Sequence, residues 1–167
     1  MPSVQWGVDL EEVGTYAELE TRARTADSAP TTFSVCAAAL RKHHHVVLQG
    51  RPGRIVDLSH SRAGYSYKMH MVTVDIFTGL KMEHIMNVQH FIDAPVLTRS
   101  EYTLVNINAL ILNLLTDEGE PKDDVDVDKA LCGRLAADLA LGKDLRVKTV
   151  RAMGEEQVVS YKEAAAE

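Results

Sequence analysis

From Val46 onward the chain is cut into short apolar runs by glycine and proline, and this rhythm constrains its fold more than any other feature. Val46-Val47-Leu48 ends in a dense turn signal, Gln49-Gly50-Arg51-Pro52-Gly53, and Arg54-Ile55-Val56-Asp57-Leu58 restarts as a strand. Ser59 to Ser66, with Gly64 inside it, reads as a loop. Tyr67 to Phe77 reads as a long strand, because Val72, Val74 and Ile76 alternate onto one face. Thr78-Gly79 turns the chain and Lys81–Met86 pairs back. Short strands at this spacing predict a small barrel.

Phe91 to Val96 reads as a hinge, since Pro95 cannot donate in a central ladder. A second β set follows, with strands over Tyr102–Ile107 and Leu110–Leu115 and an acidic loop from Asp117 to Asp128. One helix is convincing. Asp128 can cap it, Leu131, Leu135 and Leu139 recur every four residues, and Gly142 can stop it. Strands over Leu145–Val150 and Gln157–Tyr161 close the set, and five strands with a helix before the fourth is the plan of an oligonucleotide-binding (OB) barrel. The expected fold class is therefore mostly β.

Residues 1–30 are rich in acids and small residues with weak periodicity. They are expected to form a flexible acidic tail, with room for a helical turn over Tyr16–Glu20. They hold no apolar h-region, so no signal peptide is expected, and the terminal Ala165-Ala166-Glu167 matches no peroxisomal or retention address. The longest apolar stretch, Ala109–Leu115, is broken by Asn113 and is too short to span a bilayer, so no membrane partner is expected. Cys36 and Cys132 form no paired motif, which favours a reduced, cytoplasmic setting.

Net charge is −6 but unevenly spread. Residues 41–70 carry Arg41, Lys42, Arg51, Arg54, Arg62 and Lys68 against the single acid Asp57, a local charge of +5 that leaves −11 on the remainder. An acidic chain with one basic pole can meet a polyanion at that pole. The alternative is a cluster on a solvated barrel face.

Catalytic constellations are weak. His43 and His45 would share a face in a strand, but no cysteine or carboxylate lies near to complete a metal set. Asp57, Ser59 and His60 have the residue types of a hydrolase triad without a nucleophile elbow. The acidic loop lacks the calcium pattern, and no phosphate-binding glycine motif occurs. No enzyme, cofactor, metal or small-molecule substrate is expected. The stretch Ser59 to Lys68 mixes Arg62 and Lys68 with Tyr65 and Tyr67. Cations and rings on an exposed loop suit phosphate contact and base stacking, whereas tyrosines packed on the barrel rim would be purely structural.

Several stretches resemble, in order, the initiation factor five-A family. Ala39-Leu40-Arg41-Lys42 followed by Gly50-Arg51-Pro52 resembles its first strand and turn, and Ile55-Val56-Asp57-Leu58-Ser59 the strand leading to its modification loop. Val74-Asp75-Ile76-Phe77-Thr78-Gly79 closely resembles its most recognisable motif. Pro121 to Val125, Gly142 to Leu145 and Ala152 to Glu156 resemble its second domain. The resemblance implies an N-terminal SH3-like (KOW-type) barrel over 31–95 and an OB domain over 96–167. It implies a ribosome-binding elongation factor that meets rRNA and peptidyl-tRNA, with a loop lysine converted to hypusine.

This chain departs from the pattern at that loop. Ala63-Gly64 is followed by Tyr65-Ser66-Tyr67-Lys68, two residues shorter than the family's loop. Lys68 then falls on a second family lysine at the strand start, Tyr65 follows the glycine, and the modified lysine has no counterpart. Each lost residue shortens an extended arm by about 3 Å. Gly53 stands where the family commonly has cysteine. The expected outcome is a paralogue without hypusine whose RNA-contact residues are Arg41, Lys42, Arg51, Arg54, Arg62, Gly64, Tyr65, Tyr67 and Lys68. A second implication comes from Leu48-Gln49-Gly50-Arg51-Pro52, which resembles the Woronin-body core protein, a self-assembling relative that also lost the lysine; it would make this chain a structural homo-oligomer.

Overall fold

Strand pairing runs further along the chain than its turn signals predict. The structure is a computed structural model that describes residues 4–5, 8–9 and 13–164, and the chain divides into two units, Met1–Val96 and Leu97–Glu167. In the first unit β1 (Val4–Gln5) and β2 (Val8–Asp9) form a small ladder, and β3 (Thr32–Cys36) pairs with β8 (Phe91–Pro95). A four-stranded antiparallel sheet follows the order β4 (His45–Leu48), β5 (Arg51–Ala63), β6 (Ser66–Asp75) and β7 (Lys81–Asn87). The turn between β4 and β5 is confined to Gln49-Gly50, both left-handed at φ 52° and 76°, as a two-residue type I′ connection requires.

Alternation in β6 works on both faces. Met69, Met71 and Thr73 enter the core, at 0%, 0% and 1% exposure, while Val72 and Val74 take the opposite face. The β-branched residues that announce this strand are therefore not its main core contacts. Leu40, Val46, Ile55 and Val88 complete the same core.

A ten-residue helix, α1 (Tyr16–Thr25), occupies part of the stretch expected to be a flexible tail. The rest of that expectation falls partly on residues 1–3, 6–7 and 10–12, which lie outside the described residues. Thr15 caps α1 by accepting the Glu18 N–H at 3.3 Å. Only Tyr16 and Ala23 are buried, so helical periodicity is faint in the sequence and tertiary docking supplies the stability. The Tyr16 hydroxyl donates to the His45 carbonyl at 2.8 Å and accepts the His45 N–H at 3.2 Å. Its ring stacks on His44 at 3.9 Å and meets the edge of Phe33 at 5.2 Å.

This docking should respond to pH. His44 Nδ1 accepts the Arg41 N–H at 2.9 Å, which only an unprotonated Nδ1 can do. Burial first, and the Arg41 charge second, hold the His44 pKa below its ordinary 6.5. The folded state then binds the proton less readily than the unfolded chain. His44 contributes stability above pH 6.5 that is lost as pH falls from 6.5 toward the lower folded value. Urea midpoints of the wild type are expected to drop through this window, and His44→Phe, which keeps the stack without titrating, should flatten the drop. Equal pH profiles for the two proteins would count against the assignment.

The second unit orders its strands β11 (Pro121–Lys122), β10 (Ile111–Leu115), β9 (Thr98–Asn108), β12 (Leu145–Ala152) and β13 (Glu155–Glu163). A parallel bridge between Asp126 and Gln157 closes the set, with Asp126 N–H donating to the Glu156 carbonyl and Val158 N–H to the Asp126 carbonyl, both at 2.9 Å. The acidic loop thus supplies the last seam of the barrel. α2 (Lys129–Ala140) is capped by Asp128, buries Leu131, Cys132 and Leu135 in the core, and ends before Gly142 at φ 80°. The architecture is mostly β with an OB barrel and one helix in the second unit, as the sequence leads one to expect.

Candidate functional site

The stretch read as a loop is a hairpin arm. Pairing continues through Ser59↔His70, His60↔Met69, Ser61↔Lys68, Arg62↔Tyr67 and Ala63↔Ser66. Only Gly64 and Tyr65 remain to turn the chain. Gly64 has φ 64° and Tyr65 does not cross to positive φ, the pattern of a type II′ turn with glycine first. Small polar residues such as Ser59 and Ser61 carry little strand signal, but β6 is a strong partner and draws them into the ladder.

Register decides which side chains stand together, because successive residues of a strand face opposite ways. Arg62 and Tyr67 lie on the side of the hairpin that holds Met69 and Met71 lower down, whereas Lys68 and Ser61 lie on the other. Arg62 Nε donates to the Gly64 carbonyl at 2.8 Å, and its guanidinium sits 5.6 Å from the Tyr67 ring centre. Tyr67 is half-buried and packs against the core. Tyr65 is 99% exposed at the tip. The two structural alternatives for the tyrosines therefore divide: one ring packs on the rim and the other stands in solvent. Lys68 is three residues behind Tyr65, about 10 Å down the arm at strand rise.

The other candidate cations fall into three groups. Arg41 is exposed, donates to the Ala38 and Leu40 carbonyls at 3.0 and 2.8 Å, and lies close enough to His60 to add to burial in lowering that imidazole's pKa. Lys42 is exposed beside it. Arg54 is exposed opposite Val74 and so shares the face of Lys68. Arg51 is drawn into an ion pair with Asp75, Nε to Oδ2 at 2.8 Å. Asp75 is 7% exposed and also accepts the Phe77 and Thr78 N–H groups at 2.8 and 3.1 Å. The Val74–Gly79 motif is thus a turn stapled by its aspartate, and sequence reading used it as a family mark without finding this role.

The remaining sequence candidates come apart in space. His43 sits in a turn at φ 78°, so it shares no strand face with His45, and among the described residues no three His, Cys, Asp or Glu side chains are grouped to hold a metal ion. Asp57 and Ser59 face opposite to His60 on β5, so they cannot form a triad. Among the described residues no helix is long and apolar enough to cross a membrane.

Comparison with known proteins gives matches in both units. Residues 30–90 match the family model described as translation initiation factor 5A-like, N-terminal, and residues 96–162 match eukaryotic elongation factor 5A hypusine, DNA-binding OB fold. The chain is 44% identical over 139 residues to eukaryotic translation initiation factor 5A-2 of Saccharomyces cerevisiae, covering 81% of this chain and 88% of that one. It is 39% identical over 140 residues to initiation factor 5A-3 of Arabidopsis thaliana, with 81% and 89% covered. Among solved structures, a translation initiation factor eif-5a family protein from Naegleria fowleri superposes with a TM-score of 0.75 at 28% identity, covering 80% of this chain and 99% of that one. Helix α1 lies before the matched span.

Proposed function

The chain belongs to the translation initiation factor 5A family, and from that premise we propose that it is a ribosome-binding factor whose first barrel meets RNA with an unmodified hairpin tip. The carrying observation is the closed two-residue turn, with Tyr65 99% exposed at its end and no lysine between residues 43 and 67. Hypusine is made on a lysine amine, and a phenol offers none. Lys68 has an amine but sits well down the arm in a paired row between Ser61 and Asn87. In this reading Tyr65 stacks on an unpaired base of rRNA or of the peptidyl-tRNA end, since any base has a π face for an exposed ring. Arg62 and Arg41 serve phosphates on one side of the arm, and Lys68 and Arg54 serve them on the other, with Lys42 at the base. Arg51 is left out of the contact set, because Asp75 holds its guanidinium. The setting is the cytoplasm, and the protein is a translation factor and not an enzyme.

Ribosome co-sedimentation combined with intact-mass measurement tests this. The expected mass is that of the unmodified chain, with no alkyl addition on Lys68. Wild-type protein should pellet with ribosomes at low salt and dissociate as salt rises, because neutralising a phosphate releases its counterions. Arg62→Glu should weaken pelleting by about tenfold and reduce the magnitude of the salt slope by about 0.7–0.9 for each phosphate that Arg62 neutralises. An alkylated lysine, or a protein that ignores ribosomes at low salt, would sink the proposal. Concentration-dependent growth into large assemblies without ribosome binding would point instead to a structural homo-oligomer.

A further inference from the structure

The four-stranded sheet of the first unit ends at β4 on one side and at β7 on the other. At β4 the Tyr16 hydroxyl takes up both the N–H and the C=O of His45. β7 has no such cover. Asp75 N–H donates to the Leu80 carbonyl at 2.8 Å, and Val88 N–H donates to the Tyr67 carbonyl at 3.1 Å, so Leu80 and Val88 both bond toward β6. In an antiparallel ladder this role falls on alternate residues, so Met82, His84 and Met86 bond β6 as well. Lys81, Glu83 and Ile85 therefore aim their N–H and C=O groups away from the sheet. Among the described residues nothing bonds those groups. An open edge of this kind is a template for another strand.

The side chains of the same three residues share one face with those opposite them on β6 and β5. Rows cross the sheet there: Arg54, Val74 and Lys81, then Asp57, Val72 and Glu83, then Ser59, His70 and Ile85. The first row is basic, the second acidic, and the third ends at the edge in an aliphatic side chain. Ile85 is 65% exposed, at a place where edge strands ordinarily carry charge. Glu83 leans toward His70 at 3.9 Å, yet its side chain stays 64% exposed. Lys81 is exposed as well. In β7 order the edge thus displays a cation, an anion and an apolar group at every second residue, each beside main-chain groups without partners.

We infer that β7 takes up an extended segment of a partner protein as a further antiparallel strand, with an apolar residue beside Ile85, a basic one beside Glu83 and an acidic one beside Lys81. Main-chain bonds hold such a strand, and alternate side chains select it. Opposite charges set directly across two strands attract, and like charges repel. Along the partner the pattern reads apolar-x-basic-x-acidic. A second copy of this chain fits less well, because no antiparallel register of two β7 strands satisfies the charges and Ile85 together. Paired about Met82, two copies set Lys81 against Glu83 twice but leave Ile85 beside Gly79, whose N–H already goes to the Asp75 carbonyl. Paired about Glu83, they set that acid against itself. Paired about Ile85, they join the isoleucines but set Glu83 beside Asn87, whose carbonyl already accepts the His90 N–H. The inference stands on the sheet edge alone and does not need the hairpin to touch the ribosome.

The test is an NMR titration of the isotope-labelled full chain with a capped peptide of sequence T-V-T-K-T-E-T, whose threonines favour an extended strand. In the free chain the N–H groups of Lys81, Glu83 and Ile85 should exchange with solvent much faster than those of Met82, His84 and Met86. Peptide at about ten times its Kd should slow the first set about tenfold. Lys81→Glu should weaken binding about fivefold, and the peptide T-V-T-K-T-K-T should restore it. Glu83→Pro removes one outward N–H and no bond to β6, so it should keep the fold and lose the peptide. Absence of binding at about 1 mM peptide overturns the inference. Equal binding of the charge-swapped T-V-T-E-T-K-T also overturns it, by showing an edge that does not read the charges. Protection of Glu83 N–H that grows with protein concentration alone overturns it too, by making a second copy the occupant.

Discussion

Replacing Glu156 by alanine is expected to cost the second unit about 3–5 kcal/mol. The side chain is 7% exposed, and three partners converge on it. Thr149 Oγ1 donates to Oε2 at 2.7 Å, the Tyr102 hydroxyl donates to the same oxygen at 3.1 Å, and Lys122 Nζ pairs with Oε1 at 3.2 Å. Lys122 also lies 5.6 Å from the Tyr102 ring centre, so cation, ring and carboxylate form one cluster. Alanine would leave Lys122 with only the exposed Asp124 at 2.9 Å and strip the buried Thr149 hydroxyl of its best acceptor. The same residue's carbonyl takes the Asp126 N–H in the bridge that closes the barrel, which places the damage at the seam. Calorimetry should show the second unit's transition falling by of order 10 °C or more. Glu156→Gln, which keeps an acceptor but no charge, should fall in between, and Tyr102→Phe should cost about 1 kcal/mol. A Glu156→Ala protein within about 1 kcal/mol of wild type would mean that desolvation already cancels the pairing.

The second large effect is expected at Asp75, where alanine should cost the first unit about 3 kcal/mol. Four donors converge on this carboxylate: Arg51 Nε at 2.8 Å, Arg51 Nη2 at 3.4 Å, and the Phe77 and Thr78 N–H groups. The turn they hold aims β7 back along β6, with Asp75 N–H donating to the Leu80 carbonyl at 2.8 Å. Burial pushes the Asp75 pKa up, but the Arg51 hydrogen bond and the two backbone donors outweigh it, so the group stays below its ordinary 3.8. A depressed carboxylate contributes stability above pH 3.8 that is lost as pH falls through the folded value. Urea denaturation across the acid range should therefore show a flatter limb for Asp75→Ala than for wild type. Asp75→Asn should retain the bonds from Phe77 and Thr78 while losing the pair with Arg51. An alanine variant that unfolds at the wild-type midpoint would refute the clamp.

These two residues also show how far the sequence could be read. Val74 to Gly79 was legible as a family motif, and Asp75 followed by Thr78-Gly79 has the form of a side chain capping its own turn. Its hold on Arg51, from 24 positions upstream, was not legible, because no local pattern reports a pairing made across strands. That pairing removes one cation from the surface set inferred from charge alone. Glu156 gave still less signal: an acid in a strand reads as solvent-facing until the barrel closes over it. Helix α1 (Tyr16–Thr25) was legible only as a helical turn over Tyr16–Glu20, for a related reason. Its one large buried side chain, Tyr16, has meaning only beside His44, His45 and Phe33.

The sequence by itself determined the alternation of strand and turn, the lone capped helix of the second unit, the basic pole, and the absence of a lysine at the hairpin tip. Those are properties of local order and composition, and folding cannot change them. Tertiary structure alone decided which cations face the same way, that Ser59 to Ala63 are strand, that Arg51 is bound, and that β7 stands at the edge of its sheet. The physical reason is register. Side chains alternate across a strand with period two, so a shift of one residue moves every one of them to the other face, and only pairing with a distant strand sets that choice.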